Sequence, residues 1–454
     1  MMFTSTNPAT ETCIERFPAF DEPQLEQALA AAEGASRLWA ETPLAARTRL
    51  LVSVAEQLRG EQEVLANLIT TEMGKLRTEA RAEIDKCAWV CDYYAEHAER
   101  FLADEPIETE APRSLVAYQP LGVWLAIMPW NFPFWQVFRC AAPAIAAGNP
   151  VLLKHASNVP GCALAIEQLF RAAGAPADLF QTLLISGERA ETLVGDARIR
   201  GVSLTGSENA GRRVAAAAGA SIKPSILELG GSDAFVVLED ADIDQAATMA
   251  AKARFLNGGQ SCIAAKRFIL VPEIAEPFVA AFKAAAEALI PGDPMQPNTT
   301  LPPLARRDLR DQLHAQVQAS VTQGAQLVTG GAPLDRNGWF YAATVLDHCA
   351  PGMPAYHEEL FGPVAAIIRA RDEADALRLA NDSDFGLGGS VWTKDRARGE
   401  AFARRLQCGC ACVNDMVKSD PRLPFGGIKT SGYGRELGLL GMRSFVNAKT
   451  LNVQ

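Results

Sequence analysis

The chain has 454 residues, of which 48% are hydrophobic and 21% charged, and this is enough apolar material for two or three packed domains. Its formal net charge of −10 argues against nucleic acid or an anionic membrane as a partner, because proteins that bind polyanions usually carry a basic face. No basic start with an apolar core precedes Asn7, and prolines interrupt the most apolar stretch, residues 122–138. We therefore expect a cytoplasmic protein without a spanning helix.

The region from Pro23 to about Leu102 predicts a series of helices, because its apolar residues recur three or four positions apart. Strands and helices then alternate. The expected strands are VWLAIM, PVLLKH, FQTLLI and GVSLTG, and the expected helices lie at residues 136–147, at residues 163–173 and near Glu188. This alternation predicts a parallel sheet covered on both faces.

A second group of elements starts at ILELGG and AFVVL and predicts another α/β domain, entered near Glu228. It continues through the strand KRFILV, a helix at residues 275–289, and strands at AQLVTG and PVAAIIR. The proline-rich residues 291–305 between them are expected to form a loop, because proline presets extended or turn geometry and lacks a backbone donor.

Ten cysteines in a chain without an export signal are expected to be reduced thiols. Cys408, Cys410 and Cys412 are spaced by two, which places them on one face of a strand. Zinc sites usually show a two-residue gap within each ligand pair and a second pair downstream. The sequence therefore predicts no metal site.

The segment FLNGGQSCIAAKR places Cys262 after two glycines and Gln260. A cysteine of this kind is commonly a small buried hydrophobe, but a nucleophilic one needs nearby donors that favour the thiolate, and the Gly258-Gly259 pair could bring backbone amides close.

This segment resembles the active-site pattern F-x-N-x-G-Q-x-C of the aldehyde dehydrogenase superfamily. The resemblance covers nearly the whole chain, in the order of the family's motifs. The matching segments are PWNFP from Pro129, LTGS from Leu204, LELGG from Leu227, EELFGPV from Glu358 and PFGGIKTSGYGRE from Pro424.

The resemblance implies an α/β fold of the aldehyde dehydrogenase type, with a Rossmann-type cofactor domain, an α/β catalytic domain and a small β oligomerisation extension. The expected NAD(P)-binding domain covers residues 1–110 and 125–228, and the catalytic domain residues 229–413. The extension would comprise residues 111–124 and 430–454 and build homodimers or homotetramers.

The same resemblance implies three catalytic residues. Cys262 would attack the aldehyde carbon, and the Asn131 side-chain amide with the Cys262 backbone N–H would hold the oxyanion. Glu228, in an apolar strand end, would have a pKa raised by burial and would act as the base for the thiol or water. The alternatives are a turn residue for Asn131 and a structurally paired carboxylate for Glu228.

For the cofactor, residues 206–211 follow a predicted strand and open a helix whose N-terminal amides can face a pyrophosphate. This G-x-x-x-x-G spacing is the family's own variant, and the resemblance implies further contacts. The expected cofactor-binding residues are Trp130, Lys154, Ser157, Gly206, Ser207, Gly211, Leu229, Glu359 and Phe361.

Ser157 occupies a position where many NAD-preferring relatives carry a glutamate that repels a 2′-phosphate. We therefore predict NAD as the cofactor, with NADP not excluded. At Cys140 relatives commonly have a lysine near the water path, so Glu228 would work without a lysine-assisted proton relay.

For the substrate, WNFPFWQVFR and KHASN resemble bacterial succinate semialdehyde dehydrogenases, in which an arginine at the position of Arg139 binds the remote carboxylate. The alternative for Arg139 is a snorkelling surface or interface residue. Some relatives carry a second arginine where this chain has Leu256, and the candidates to replace it are Arg254, Lys418 and Ser419. Of these, Ser419 is the predicted substrate contact.

Three other functions remain compatible with the motifs. The chain could oxidise another small aldehyde, or it could be a coenzyme-A-acylating semialdehyde dehydrogenase, in which a thiol resolves the thioester. Glu228 argues against the acylating enzyme, because it would activate water instead. A catalytically silent structural relative is disfavoured because Cys262, Asn131 and Glu228 are all present.

Overall fold

A computed structural model describes residues 1–454. The α-helices and one short 3₁₀-helix are distributed along the whole chain. The α-helices are α1 Glu22–Glu41, α2 Leu44–Gly60, α3 Gln62–Met73, α4 Arg77–Phe101, α5 Trp135–Ala146, α6 Pro160–Ala172, α7 Gly187–Leu193, α8 Glu208–Ala220, α9 Ile243–Phe255, α10 Pro272–Glu287, α11 Arg307–Thr322, α12 Pro354–His357, α13 Glu373–Asn381, α14 Arg396–Ala403 and α15 Gly438–Arg443. The 3₁₀-helix is Leu256–Gly259.

The strands form three larger sheets and two small two-stranded ones. They are β1 Met2–Thr6, β2 Cys13–Pro18, β3 Glu105–Pro106, β4 Arg113–Pro120, β5 Trp124–Met128, β6 Val151–His155, β7 Phe180–Thr182, β8 Gly201–Thr205, β9 Ser225–Glu228, β10 Asp233–Val237, β11 Ala265–Leu270, β12 Gln326–Thr329, β13 Thr344–Asp347, β14 Val364–Arg369, β15 Phe385–Gly386, β16 Gly388–Trp392, β17 Cys410–Val413, β18 Ile428–Lys429, β19 Gly432–Tyr433 and β20 Val446–Val453.

The predicted helical opening is confirmed as α1 to α4. Asp21 begins α1 with a capping box, in which its side chain and that of Gln24 each accept a backbone N–H of the other residue. Gly74 ends α3 in the left-handed conformation, with φ 88°. A hairpin of β1 and β2, which the helical periodicity does not predict, precedes these helices.

The first large sheet has the order β19-β9-β8-β5-β6-β7, and all its strands except β19 run parallel. Alternate residues of β5 enter cores on opposite faces: Trp124 and Ala126 belong to one cluster, and Leu125 belongs to the other. The prediction of a parallel sheet covered on both faces is therefore confirmed.

The assignment of ILELGG to the second group of elements is wrong. Its strand β9 pairs with β8 in the first sheet, and β10 begins the next sheet after the Gly230-Gly231 pair. Both strands are short, apolar and buried, so neither composition nor burial reveals which neighbour each one joins.

The second large sheet has the order β12-β13-β14-β11-β10-β16-β17, parallel except for β12. Strands β20, β4 and β3 form a separate antiparallel sheet. These three sheets fall into the ranges expected for the cofactor domain, the catalytic domain and the extension, apart from β19 and β3, and the domain division stays a prediction. None of the helices has the length and apolarity needed to cross a membrane.

Candidate functional site

Two cavities meet at the loop between α9 and β11, which contains Cys262. The smaller has a volume of about 220 Å³ and the larger about 540 Å³. Only Cys262 and Gln136 line both. The predicted nucleophile therefore lies where a compact chamber opens into a larger groove, and it is accessible from both sides.

The backbone before Cys262 makes a left-handed turn. Asn257, Gly258 and Gly259 have φ values of 57°, 63° and 76°. A side chain at Gly259 would collide with the Gly362 carbonyl, so glycine is required there. The two glycines thus shape the loop, and no backbone amide among the hydrogen bonds of the structure donates to the Cys262 sulfur.

Lys266 stabilises the loop that contains Cys262 through hydrogen bonds to its backbone. Its ammonium donates to the carbonyl oxygens of Ser261 at 2.9 Å and Cys262 at 2.8 Å, and it lies 3.2 Å from a Glu359 carboxylate oxygen. Burial raises the pKa of the Cys262 thiol to about 12, although Arg139 and Lys266 oppose the shift. The sulfur is therefore a thiol at neutral pH and needs a base before it can attack.

Two donors are placed for an oxyanion. Asn131 is buried, and its Nδ2 donates one hydrogen to the Gln260 carbonyl at 3.1 Å, which leaves the second hydrogen free. Asn257 in turn donates to the Asn131 carbonyl at 2.9 Å and fixes its backbone. The backbone N–H of Cys262 has no acceptor in the protein. The arrangement can stabilise negative charge on an oxygen next to the sulfur.

Glu228 ends β9 and is buried, with neither carboxylate oxygen hydrogen-bonded. Burial raises its pKa well above the ordinary value; Arg139, 3.9 Å from Oε2, lowers it, and Glu436 raises it further. The side chain lines neither cavity. It must rotate, or act through a water, to reach the sulfur.

Arg139 is almost fully buried on α5 and lines the smaller cavity. Its guanidinium forms an ion pair with Glu436, lies near Glu228, and stacks over the Phe425 ring at 4.8 Å from the ring centroid. It is not the snorkelling residue of the alternative interpretation. Its charge is shared between two buried carboxylates, so it also has a structural task that the sequence did not predict.

Replacing Arg139 by methionine should lower the free energy of unfolding by about 3–5 kcal/mol at neutral pH, because two buried carboxylates lose their cation. Without the cation both carboxylates have raised pKa values, so the destabilisation should shrink as the pH falls and they become protonated. Urea unfolding measures the effect. The double variant Arg139→Met/Glu436→Gln should recover part of the loss, and equal stability of Arg139→Met and wild type would contradict the argument.

The larger cavity has the features of a dinucleotide groove. It follows the carboxyl ends of the parallel strands β5, β8 and β9, where ligands bind in such folds. Ser207 caps α8, whose N-terminus borders the groove. Of the predicted cofactor residues, the groove is lined by Trp130, Gly206, Ser207, Leu229, Glu359 and Phe361.

Three predicted cofactor residues lie outside the groove wall. Gly211 packs α8 against Leu229, the residue after β9, and a Cβ there would lie 2.6 Å from Leu229 side-chain carbons. Lys154, near the end of β6, forms no hydrogen bond or ion pair through its ammonium, and burial lowers its pKa. Ser157 is exposed beyond β6 and borders a small neighbouring pocket. Their contacts with a cofactor stay predictions.

The smaller cavity brings together residues from distant parts of the chain. Ser419 and Lys418 line it, whereas Arg254 does not: its guanidinium donates to the Gly259 and Ala265 carbonyls. Pattern reasoning missed Lys86, Gln136 and several aromatic residues of the wall, because only tertiary packing brings them to Cys262. No cluster of three or more His, Cys, Asp or Glu residues is arranged to hold a metal.

Residues 1–451 match the model of the aldehyde dehydrogenase family. The chain is 49% identical over 451 residues to a protein of Synechocystis sp. named probable succinate-semialdehyde dehydrogenase (NADP(+)), with 99% of each chain covered. It is 46% identical over 447 residues to the succinate semialdehyde dehydrogenase (NAD(P)+) of Escherichia coli, covering 98% of this chain and 97% of the relative. The crystal structure of a succinic semialdehyde dehydrogenase from Streptococcus pyogenes in complex with NADP+ superposes with a TM-score of 0.98 at 38% identity, covering 99% of both chains.

Proposed function

We propose that this chain, which belongs to the aldehyde dehydrogenase family, oxidises succinate semialdehyde to succinate with NAD or NADP as the hydride acceptor. The observation that carries the proposal is the position of the Cys262 sulfur at the junction of two cavities. A small aldehyde can approach from the compact chamber, while the groove on the other side suits a dinucleotide. A volume of about 220 Å³ lies below the range of drug-sized ligand pockets and suits a small substrate.

The site residues support a two-stage reaction. Glu228 takes the thiol proton, and Cys262 adds to the aldehyde carbon while Asn131 and the Cys262 N–H stabilise the oxyanion. The nicotinamide of a bound cofactor supplies the acceptor for the hydride. The thioester left on the sulfur is then hydrolysed by a water that Glu228 deprotonates. The raised pKa of Glu228 suits a group that must take up and release protons.

The cofactor preference is expected to depend on Ser157. Replacing it by glutamate should raise the KM for NADP by about tenfold or more and change that for NAD little, since a new carboxylate would repel the 2′-phosphate but could bond ribose hydroxyls. Initial rates with each cofactor measure this. Ser157→Ala is the control that removes the hydroxyl without adding charge. An equal change with both cofactors would show that Ser157 does not discriminate between them.

The proposed function is tested by mixing the protein with succinate semialdehyde and either cofactor, without coenzyme A, and following the absorbance of the reduced cofactor. Turnover with at least one cofactor is expected, and succinate should be the product. The absence of turnover with both cofactors would reject the proposed function. Turnover that requires coenzyme A would favour the acylating alternative, in which a thiol replaces water.

We also propose that the enzyme assembles as a homodimer or homotetramer through the sheet of β20, β4 and β3. Strand β20 has a free edge and is exposed over nearly all its length, with side chains such as Leu451 and Val453 in solvent. An open edge strand with apolar side chains is suited to symmetric pairing. Light scattering after size exclusion would give the mass, and a monomer would contradict the proposal.

A further inference from the structure

We propose that Lys86, together with Ser419, binds the remote carboxylate of the aldehyde substrate. The inference rests on the proposed function and names the contact that would select a carboxylate-bearing aldehyde. Lys86 lies on α4, far in sequence from every motif of the active site, and lines the same cavity as Cys262.

The hydrogen bonds around Ser419 leave a donor free. Lys86 donates from its ammonium to the Ser419 hydroxyl oxygen at 2.8 Å, and Trp135 donates to the same oxygen from Nε1 at 3.1 Å. Both partners are donors only, so the serine oxygen accepts twice and its own proton points elsewhere. That proton has no acceptor in the protein. A carboxylate placed here would receive the serine proton and a second ammonium proton.

Lys86 is also the uncompensated cation of this cavity. Arg139 is paired with Glu436, and Lys418 with Asp415 at 2.8 Å. Lys86 has no ion-pair partner; its ammonium lies 4.3 Å from the centroid of the Trp135 ring, which offers only the weaker attraction of an aromatic face. An incoming carboxylate therefore gains most at Lys86.

The acidic residues of the cavity set the direction of the substrate. Glu83 is paired with Lys75 and accepts the backbone N–H groups of Phe134 and Trp135. Glu79 accepts the N–H of Asn257, in the turn before the nucleophile. Since Glu79 and Lys86 are seven positions apart on one helix, they are separated by about 10 Å along its axis. The Glu79 end of the cavity offers no unpaired cation, so the carboxylate is bound at the Lys86 end and the aldehyde faces Cys262.

The environment of Lys86 adds a pH dependence. Burial, and to a smaller extent Arg139, lowers its pKa to about 8, while Cys87, Glu83 and Asp420 oppose the shift. The ammonium of the free enzyme should therefore lose its proton as the pH rises through about 8. Selection for the carboxylate should be lost with it.

The test compares Lys86→Met with Lys283→Met, a matched removal of a lysine on α10 that lines neither cavity and whose charge is already paired with Glu287. We expect kcat/KM for succinate semialdehyde to fall by about 10- to 100-fold in Lys86→Met, through KM, while kcat/KM for butanal stays within about twofold. Lys283→Met should change kcat/KM for neither substrate by more than about threefold. Equal losses on both aldehydes, or no loss in Lys86→Met, would overturn the inference.

Two further measurements complete the test. In wild type, the ratio of kcat/KM for succinate semialdehyde to that for butanal should fall above pH 8, and in Lys86→Met it should be flat. Succinate should also slow the alkylation of Cys262 by iodoacetamide in wild type but not in Lys86→Met. If wild type lacks turnover, protection by succinate that depends on Lys86 would still support the carboxylate site, and absent protection would reject it.

Discussion

Cys262→Ala is expected to abolish aldehyde oxidation, with a fall in kcat of at least about 10⁴-fold, because no other thiol lines either cavity. The same change should remove hydrolysis of an activated ester such as p-nitrophenyl acetate, since that reaction also needs the sulfur but not the hydride acceptor. Absorbance of the reduced cofactor measures the first activity, and release of nitrophenol the second.

The control for this loss is Cys13→Ala, which removes an exposed thiol of β2 that lines neither cavity and should leave both activities unchanged. Binding of the cofactor to Cys262→Ala, followed by quenching of tryptophan fluorescence, should persist because the groove is intact. Esterase activity that survives the loss of Cys262 would assign the nucleophile elsewhere and overturn the mechanism.

Most helices and strands could be predicted from the sequence, because the spacing of their apolar residues reflects which faces are buried. The four opening helices place apolar residues three or four apart because each buries one face. Strands β5, β6 and β8 are buried almost throughout because both faces of their sheet are covered. Sheet membership could not be predicted in the same way. Strand β9 joins β8 although β10 follows it closely, since the pairing depends on partners elsewhere in the chain.

The residues of the candidate site show the same difference between features that short sequence segments indicate and features that depend on contacts across the chain. Cys262, Asn131 and Glu228 stand in short motifs, so their types and order could be read directly from the sequence. Lys86 stands in no motif and meets Ser419 across 333 positions, and Glu79 meets Asn257 across 178. Contacts of this range depend on how α4 packs beneath the active-site loops. The spacing of residues within a short segment does not indicate that packing.

The state of the sulfur is a further example. Thiol chemistry and the neighbouring glycines suggest a site that favours the thiolate, whereas burial raises the thiol pKa to about 12. The glycines instead permit the left-handed turn that brings Cys262 to the junction of the cavities. A base must therefore remove the thiol proton before the sulfur can attack. Removing Glu228 should consequently lower the rate more than the loss of water activation alone would.

Glu228→Gln is therefore expected to lower kcat by about 10²- to 10⁴-fold, the range for loss of general base catalysis. The pre-steady-state burst of reduced cofactor should also disappear, because the thiol, whose pKa is raised, keeps its proton. Rapid mixing with absorbance detection distinguishes the two stages. An intact burst with slow turnover would limit Glu228 to the hydrolysis of the thioester and contradict a role in activating the sulfur.

The pH dependence gives an independent readout of the same base. Glu228 acts only when deprotonated and its pKa is raised, so wild-type kcat should fall as the pH drops through that raised value. In Glu228→Gln this acidic limb should vanish. The residual rate should instead rise with pH through the neutral and mildly alkaline range, since burial keeps the pKa of the Cys262 thiol raised and the thiolate fraction grows with pH. A residual rate that does not change with pH would mean that the sulfur is ionised without Glu228.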